Sequence, residues 1–362
     1  MSATVEQVQN ALRELIDPTS DENYIDGKNA KNISVEDGRV SLEIVLGYPA
    51  KSVIEAIRET VTTRLKKIAG VKSVSVNAYS KIVSHTVQRG VKPIAGIKNI
   101  IAVASGKGGV GKSTTAVNLA LALAAEGAVV GILDADIYGP SQPMMLGITG
   151  RPDSLDGKIM EPMQGHGLQA MSIGFLVDPE TPMVWRGPMV TQALEQLLTE
   201  TRWSELDYLV VDMPPGTGDI QLTLAQKVPV TGAVIVTTPQ DIALLDARKG
   251  LKMFEKVGVP IIGIVENMAM HLCSKCGHVE HIFGTGGGNR MAAQYDVELL
   301  GSLPLDLSIR EDTDGGKPSV VSNPDGPIAA IYKEIARKCA VKIAKQTQDR
   351  SVMFPKIVVQ NT

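Results

Sequence analysis

The sequence is poor in cysteine and in aromatic residues. Only 3 of its 362 residues are cysteine, and aromatic residues make up 4% of the chain. Three cysteines in a chain of this length exclude a small secreted scaffold held together by disulfides. Cys339 lies alone in a helical pattern, and we interpret it as a small packing residue. Cys273 and Cys276 form a Cys-x-x-Cys pair, which in a reducing compartment indicates metal or redox chemistry.

Neither sign of charge is in large excess, and no long apolar run is present. The 36 basic and 39 acidic residues give a net charge of -3, which argues against a generally basic surface for nucleic acid. Glycine-rich and charged residues interrupt the most apolar region, 100–133, so no segment offers the roughly 20 continuous apolar residues of a membrane span. The first twenty residues lack the pattern of a secretory signal. We therefore expect a cytoplasmic protein that binds neither nucleic acid nor membrane.

The length and the 44% of apolar residues predict two domains with proper cores. Residues 1–84 predict a small α+β domain in the order α-β-β-α-β. Apolar residues recur at helical spacing in both predicted helices, and Asp37-Gly38 is typical of a tight hairpin turn between the first two strands. We interpret residues 85–98 as a linker.

From residue 99 the pattern changes to short apolar runs that alternate with helices. Runs without alternating polar residues predict strands buried on both faces, and hence a mostly parallel sheet flanked by helices. The second domain, 99–345, is therefore predicted to be α/β. Residues 346–362 are predicted to form a C-terminal tail. The six runs are 100–104, 128–133, 208–211, 233–237, 261–265 and 298–303.

A glycine-rich segment directly follows the first of these runs. It matches G-x-x-x-x-G-K-[ST] and leads from a strand into a helix, the context that a phosphate loop requires. Its glycines let backbone N–H groups turn toward a polyphosphate, and the helix N-terminus adds its dipole. We expect Lys112 to reach the β- and γ-phosphates and Ser113 to ligate Mg²⁺. The predicted nucleotide-binding residues of this segment are Gly106, Lys107, Gly108, Gly109, Val110, Gly111, Lys112, Ser113 and Thr114.

Two further apolar runs end in carboxylates. Asp134 and Asp136 follow the run 128–133, and Asp212 follows the run 208–211. A phosphate loop needs such groups to hold the magnesium shell and to orient the attacking water. Ligands in sheets of this kind bind outside the carboxyl ends of the strands. We therefore predict that Asp134 and Asp212 serve the magnesium ion together with Ser113.

A stiff turn follows the second of these carboxylates. Pro214-Pro215-Gly216 ends at a glycine whose N–H is placed to sense the γ-phosphate. Pro215 and Gly216 therefore predict a switch that responds to the bound nucleotide.

Lys107 directly follows the first glycine of the loop, and the segment KGGVGKST resembles the deviant Walker A loop of a family of ATPases. This family includes the septum-site, plasmid-partition, arsenite-pump and nitrogenase-iron proteins. The resemblance implies that Lys107 reaches across a sandwich dimer to the partner's nucleotide, that Asp136 orients the attacking water and that Asp212 serves the magnesium shell. Asn267 falls where such proteins recognise adenine, with a capping or solvent-facing role as the alternative. The implied catalytic residues are Lys107, Lys112 and Asp136.

The Cys-x-x-Cys pair lies six residues after Asn267. Zn²⁺ and a cubane iron-sulfur cluster both normally require four protein ligands, so Cys273 and Cys276 supply half a site. A two-fold partner would complete it with two more thiolates. Alternatively, His278 and His281 would complete an intrachain zinc site. A redox dithiol is the third alternative.

Six motifs in order resemble the Mrp/NBP family of iron-sulfur cluster carrier ATPases, and residues 1–84 resemble the small domain of cluster-assembly factors. The resemblance implies a homodimer that hydrolyses ATP slowly and holds a labile [4Fe-4S] cluster between two pairs of Cys273 and Cys276. It also implies a cluster donor and apo iron-sulfur client proteins as partners. The motifs are SGKGGVGKS, DADIYGPS, WRGPM, DMPPGTGD, VENM and CSKCGHVEHIFG.

Two other functions share the same nucleotide residues. A partition- or septum-type spatial organiser would act on DNA or membrane, but the C-terminal sequence shows neither a basic patch nor a basic amphipathic helix. A zinc-stabilised, nucleotide-dependent scaffold would use the cysteines structurally. The loop 46–50 lacks the cysteine that related small domains often carry there, so no ligand is expected from the N-terminal domain.

Overall fold

The structure, a computed structural model, describes residues 3–88, 90–154, 157–177, 187–273 and 275–348. Trp185 and Arg186 of the WRGPM motif lie outside these residues, as does the predicted tail from residue 349 onward.

The N-terminal unit is a three-stranded sheet covered by two helices. Its elements are α1 (Val5–Arg13), β1 (Ala30–Glu36), β2 (Arg39–Leu46), α2 (Ile54–Leu65) and β3 (Ser73–Ser80). This sequence of elements confirms the predicted order α-β-β-α-β. Strand β2 lies in the middle, antiparallel to β1 and parallel to β3. Asp37 and Gly38, at φ 50° and 82°, make the tight turn between β1 and β2.

The second unit is built on an eight-stranded sheet. Its strands in chain order are β4 (Ile97–Ala104), β5 (Val130–Asp134), β6 (Met163–Gly165), β7 (Leu168–Ser172), β8 (Leu206–Asp212), β9 (Gly232–Thr237), β10 (Ile261–Glu266) and β13 (Leu299–Ser302). A separate hairpin pairs β11 (His271–Leu272) with β12 (Val279–Glu280).

The strand order in the large sheet is β13-β10-β9-β4-β8-β5-β7-β6, and every neighbouring pair is parallel except β6 with β7. All six predicted strands are present, because continuous apolar runs are buried wherever helices cover both faces of a sheet. The antiparallel hairpin β6–β7 at the edge was not predicted. It is short, and the motif-rich segment around it carries no alternating pattern.

The helices of the second unit are α3 (Lys112–Ala125), α4 (Gln142–Met145), α5 (Gly187–Thr199), α6 (Asp219–Lys227), α7 (Asp241–Lys256), α8 (Gly287–Tyr295), α9 (Leu307–Asp314), α10 (Ser319–Ser322) and α11 (Pro327–Ala344). Of these, α3, α7, α8 and α11 pack against the large sheet. Ten of the 14 residues of α3 are buried, so the helix after the phosphate loop lies inside the domain. Within the described residues, no helix combines the length and apolarity needed to cross a bilayer.

The N-terminal unit contacts the far end of the phosphate-loop helix. The Glu126 carboxylate, directly after α3, is fully buried and pairs with Arg337 of α11 at 2.7 Å. Ser52 of the N-terminal unit donates to the same carboxylate from its backbone N–H at 3.0 Å and from its hydroxyl at 2.6 Å. Because a buried carboxylate without partners is costly, these contacts fix the two units against each other.

His85, in the predicted linker, is a buried titratable group, and we expect it to make the stability of the fold depend on pH. Its Nδ1 lies 2.9 Å from the Asn99 Oδ1, and burial lowers the pKa of the imidazole below its usual 6.5. The neutral ring is therefore favoured in the folded protein, so its stabilising contribution is present above pH 6.5 and is lost as the pH falls through the folded-state pKa. Thermal unfolding between about pH 7.5 and pH 5 should show a smaller loss of stability for His85→Gln than for wild type. Equal losses in both proteins would contradict this assignment.

Candidate nucleotide site and cysteine hairpin

The phosphate loop connects β4 to α3 at the carboxyl edge of the sheet. Gly109 and Gly111 have φ angles of 79° and 82°, which side chains rarely adopt. A Cβ atom on Gly106 would collide with the backbone of α7 at Asp246. Thr115 donates from its hydroxyl to the Gly111 carbonyl at 2.9 Å and fixes the loop to the first turn of the helix. The glycines of the motif are therefore required by backbone geometry as well as by phosphate access.

Lys112 is the buried cation of the site. Its ammonium forms an ion pair with Asp212 and donates to the Ser113 hydroxyl at 3.1 Å. Lys112 is 6% exposed, and the Asp212 side chain is fully buried. Lys107, by contrast, is half-buried and makes no ion pair with any residue that the structure describes. The two lysines of the loop thus lie in different environments.

Asp134 lies beside Asp212, because the two are paired residues on the adjacent parallel strands β5 and β8. Burial and the neighbouring Asp212 charge raise the pKa of Asp134 to about 7. Its Oδ2 accepts from the backbone N–H groups of Ser141 and Gln142 at 2.9 and 3.0 Å and from the Ser172 hydroxyl at 3.1 Å. The carboxylate therefore anchors the start of α4 to the edge of the sheet.

Asp136 lies two residues further on and is half-buried. Its backbone N–H donates to the Asp134 Oδ1 at 3.2 Å. Burial raises the pKa of Asp136, and the positive charge of Lys112 partly offsets this effect. Its carboxyl group thus lies within the electrostatic reach of the same lysine that serves the phosphate loop.

The predicted switch turn contacts the phosphate loop. Gly216, at φ 97°, donates its backbone N–H to the Ser105 carbonyl at 3.0 Å. Gln221 donates from its side chain to the Pro215 carbonyl at 2.5 Å. The N–H that was predicted to sense the γ-phosphate is therefore held by the residue before the loop, and it would have to leave Ser105 to reach a phosphate.

Asn267, directly after β10, also contacts the phosphate loop. Its side-chain nitrogen donates to the Val110 carbonyl at 2.9 Å, and its backbone N–H donates to the Thr237 carbonyl at 2.7 Å. Asn267 is 8% exposed, which excludes the solvent-facing alternative. One amide hydrogen and the amide oxygen remain for other partners.

The cysteine pair lies in the turn of the β11–β12 hairpin, which leaves the sheet just after Asn267. Cys273 donates its backbone N–H to the His278 carbonyl, and Gly277 donates to the Cys273 carbonyl, both at 2.9 Å. Cys273 is half-buried and Cys276 is exposed. Hydrogen bonds from the backbone N–H groups of Lys275 and Cys276 lower the pKa of the Cys273 thiol. The turn thus favours the thiolate form that binds soft metals.

The two histidines near this turn do not complete a metal site with it. His281 Nδ1 lies 2.9 Å from the Ala269 carbonyl, and His278 is exposed. Within the described ranges, no group of three or more His, Cys, Asp or Glu side chains is arranged to hold a metal ion. Among these residues, neither histidine joins the two thiols as a third ligand in this conformation.

Comparison with known proteins decides the family. Residues 96–340 match the family model of the NUBPL iron-transfer P-loop NTPase, of the ParA group. The chain belongs to this family. Residues 5–78 separately match the model of an iron-sulfur cluster assembly protein.

Curated relatives match most of the length of this chain. The iron-sulfur cluster carrier protein of Salmonella typhimurium is 54% identical over 337 residues, which are 93% of this chain and 91% of the relative. The iron-sulfur cluster transfer protein NUBPL of Mus musculus is 55% identical over 247 residues, 68% and 77% of the two chains. The nucleotide-binding protein of Archaeoglobus fulgidus, solved with ADP, matches 64% of this chain and 90% of its own at 38% identity and a TM-score of 0.57. The predicted P-loop NTPase fold is confirmed.

Mg²⁺, the cation that a P-loop NTPase implies, fits the donors of this site. Ser113 offers a hydroxyl and Asp212 a carboxylate, and oxygen ligands of this kind are those that Mg²⁺ prefers. Both contact the Lys112 ammonium, so the two oxygens already face one common cation. Ser113 and Asp212 would hold the ion, with Asp134 beside Asp212, and the ion would neutralise charge on the phosphates.

Sequence patterns did not assign a role to three polar residues at this edge of the sheet. Gln142 and Ser172 surround the carboxylates, and the Glu266 carboxylate accepts from the Gly288 N–H at 2.6 Å. Gln142 follows the serine that precedes α4, so a capping signal marks its region. Glu266 belongs to the VENM motif, but only its neighbour Asn267 was given a role there. Ser172 carries no local signal, because its contact with Asp134 depends on strands that are remote in sequence.

Proposed function

We propose that this protein is an ATP-binding and hydrolysing carrier that holds a labile [4Fe-4S] cluster and transfers it to apoproteins. The observation that carries the proposal is the position of the cysteine hairpin. Its first strand begins four residues after Asn267, whose side chain binds the phosphate loop. The cluster is cargo, and the nucleotide regulates its release.

The cysteine pair supports a homodimer. A [4Fe-4S] cluster takes four ligands, and Cys273 and Cys276 supply two. A second copy related by two-fold symmetry supplies the same pair again. Leu272, Val279 and Ile282 beside the thiols are 54%, 45% and 55% exposed. Apolar side chains at this density favour a surface that a partner covers.

The nucleotide chemistry requires Lys112 to change partners. A polyphosphate in the loop draws the ammonium away from Asp212 to the β- and γ-phosphates, and Asp212 is then free to serve the magnesium shell with Ser113 and Asp134. Asp136, two residues from the anchored Asp134, orients the attacking water. Lys107 has no competing ion pair among the described residues and reaches the nucleotide of the other subunit. Hydrolysis then needs only positioning and charge stabilisation.

A short series of hydrogen bonds connects the phosphate loop to the cysteine hairpin and would couple the nucleotide to the cluster. Val110 of the loop accepts from Asn267. Ala269, two residues on, donates its backbone N–H to the Leu303 carbonyl at 2.9 Å, and its carbonyl contacts His281 of the cysteine hairpin at 2.9 Å. A movement of the loop on ATP binding is therefore transmitted to the hairpin by hydrogen bonds, and cluster affinity differs between the two conformations.

We also propose two domains, 1–84 and 99–345, joined by the segment 85–98, whose last two residues, Ile97 and Lys98, already belong to β4. The unit 1–84 acts as an assembly-factor-like domain, and its contact with Glu126 at the end of α3 places it away from the phosphate loop. A cluster donor or a client would contact this unit without blocking the nucleotide.

The test is anaerobic transfer from the reconstituted protein to an apo [4Fe-4S] enzyme, followed by recovery of that enzyme's activity. We expect ATP to accelerate transfer by reconstituted wild type and, in protein without the cluster, to raise the dimer fraction in light scattering. Lys107→Ala without the cluster should remain monomeric with ATP, and the reconstituted variant should transfer at the nucleotide-free rate, because the lysine that crosses the interface is gone. Equal ATP acceleration in both proteins would refute the cross-subunit role.

Two outcomes would favour the other functions. Stoichiometric zinc without iron after strictly anaerobic purification would support a scaffold. Salt-sensitive retention of DNA, or pelleting with liposomes, would support a spatial organiser.

A further inference from the structure

Gln142, the first residue of α4, bridges the phosphate loop and the carboxylate beneath it. Its side-chain nitrogen donates to the Asp212 Oδ2 at 2.8 Å and to the Ser113 carbonyl at 3.2 Å. Gln142 is 1% exposed, and its backbone N–H donates to the Asp134 Oδ2 at 3.0 Å. A single side chain thus holds the carboxyl end of β8 against the start of α3.

The orientation of this amide is fixed by its partners. The Asp212 carboxylate and the Ser113 carbonyl are acceptors, so the nitrogen of the amide must face both. A rotated amide would place its oxygen against two acceptors. Both hydrogens of the nitrogen are therefore used, and the Gln142 Oε1 faces neither of these two acceptors.

The Gln142 Oε1 has no donor. It is buried and lacks a hydrogen-bond partner among the described residues. Buried acceptors are nearly always satisfied, so an orphaned one beside a ligand site indicates a partner that arrives with the ligand. Lys112 does not supply the missing donor. Its ammonium contacts Asp212 and Ser113 in this structure, and a bound polyphosphate would hold it instead.

We propose that Gln142 is a positioning residue for the magnesium-nucleotide site, and that its Oε1 accepts a hydrogen bond from a water of the magnesium shell. A water bound to a cation turns its lone pair to the metal and its hydrogens outward, so it seeks acceptors such as this amide oxygen. The Gln142 side-chain nitrogen keeps the Asp212 carboxylate in place when the Lys112 ammonium moves to the phosphates. This inference rests on the proposed nucleotide function and does not depend on cluster transfer.

The experiment measures the affinity for ADP by calorimetry, once with Mg²⁺ and once with EDTA. For wild type we expect tighter binding with Mg²⁺. Gln142→Met has a similar length and no hydrogen-bonding amide, and we expect it to lower this magnesium-dependent gain about tenfold while affinity in EDTA stays within about twofold. The matched control is Gln169→Met, whose amide contacts Ser204 at the edge of the sheet. It should behave as wild type.

Each other outcome counts against the proposal. An unchanged magnesium-dependent gain in Gln142→Met would overturn it. Equal losses of affinity with and without Mg²⁺ would show a structural role only, which also overturns it. If Gln142→Met does not fold, as judged by circular dichroism, Gln142→Asn keeps the amide but withdraws it by one methylene, with the same expected result. Absence of ADP binding by wild type in both conditions would instead overturn the nucleotide function, and this inference with it.

Discussion

Lys112→Ala is expected to abolish ATP-dependent delivery of the cluster while leaving cluster binding intact. The ammonium provides charge-assisted hydrogen bonds to the phosphates, and their loss should weaken ATP binding by about 100-fold or more. Among the described residues, Lys112 makes its side-chain polar contacts with Ser113 and Asp212 and none with the cysteine hairpin, so iron content after reconstitution should equal that of wild type. The measurements are ATP affinity, iron content and rate of transfer to an apoprotein.

This variant also changes the buried charges of the site. Lys112 is the ion-pair partner of the fully buried Asp212, and breaking a buried pair costs about 3–5 kcal/mol. Lys112→Ala must therefore be compared by thermal unfolding, with Lys112→Gln as a second variant that keeps a donor. Lys98→Ala is a suitable control, because Lys98 pairs with Asp207 at 2.7 Å at the opposite end of the sheet. Delivery by Lys112→Ala at the ATP-accelerated rate of wild type would disprove coupling between nucleotide and cluster.

The double variant Cys273→Ala/Cys276→Ala is expected to lose the cluster completely. Wild type should bind about four irons per dimer after anaerobic reconstitution with iron and sulfide, and the variant none. ATP affinity should remain close to that of wild type, because the hairpin lies outside the phosphate loop. Absorption, iron and sulfide analysis and oligomeric mass give the result.

Cys339→Ala is the matched control for this experiment. Cys339 is fully buried in α11, and burial raises the pKa of its thiol well above the usual range. The Cys339→Ala variant should therefore retain the full cluster. Four irons per dimer in the double variant would place the ligands elsewhere. Cysteine-dependent zinc without a cluster, in monomer and dimer alike, would make the pair structural.

Much of the fold could be predicted from local pattern. The six apolar runs became strands, because an unbroken apolar segment is stable only where both faces are covered. The hairpin turn at Asp37 and Gly38 was predictable because its positive φ angles select those residue types. The phosphate loop was predictable for the same reason, since Gly109 and Gly111 adopt angles that favour glycine.

Other features depend on contacts between distant segments. The hairpin β6–β7 extends the sheet from a segment without an alternating pattern. The junction of Glu126, Ser52 and Arg337 joins parts of the chain that are up to 285 residues apart. No window of sequence contains these partners, so propensity and periodicity do not reveal them.

The sequence by itself determined the phosphate loop, the carboxylates at the strand ends and the cysteine pair, because each is a local arrangement of residue types that its chemistry requires. Only the tertiary structure decided how they are connected. The parallel pairing of β5 with β8 brings Asp134 beside Asp212 and raises its pKa. The end of β10 brings Asn267 to the phosphate loop, and α4 brings Gln142 to Asp212. The physical reason is that burial and hydrogen bonding act between groups that are close in space, and chain folding alone sets those distances.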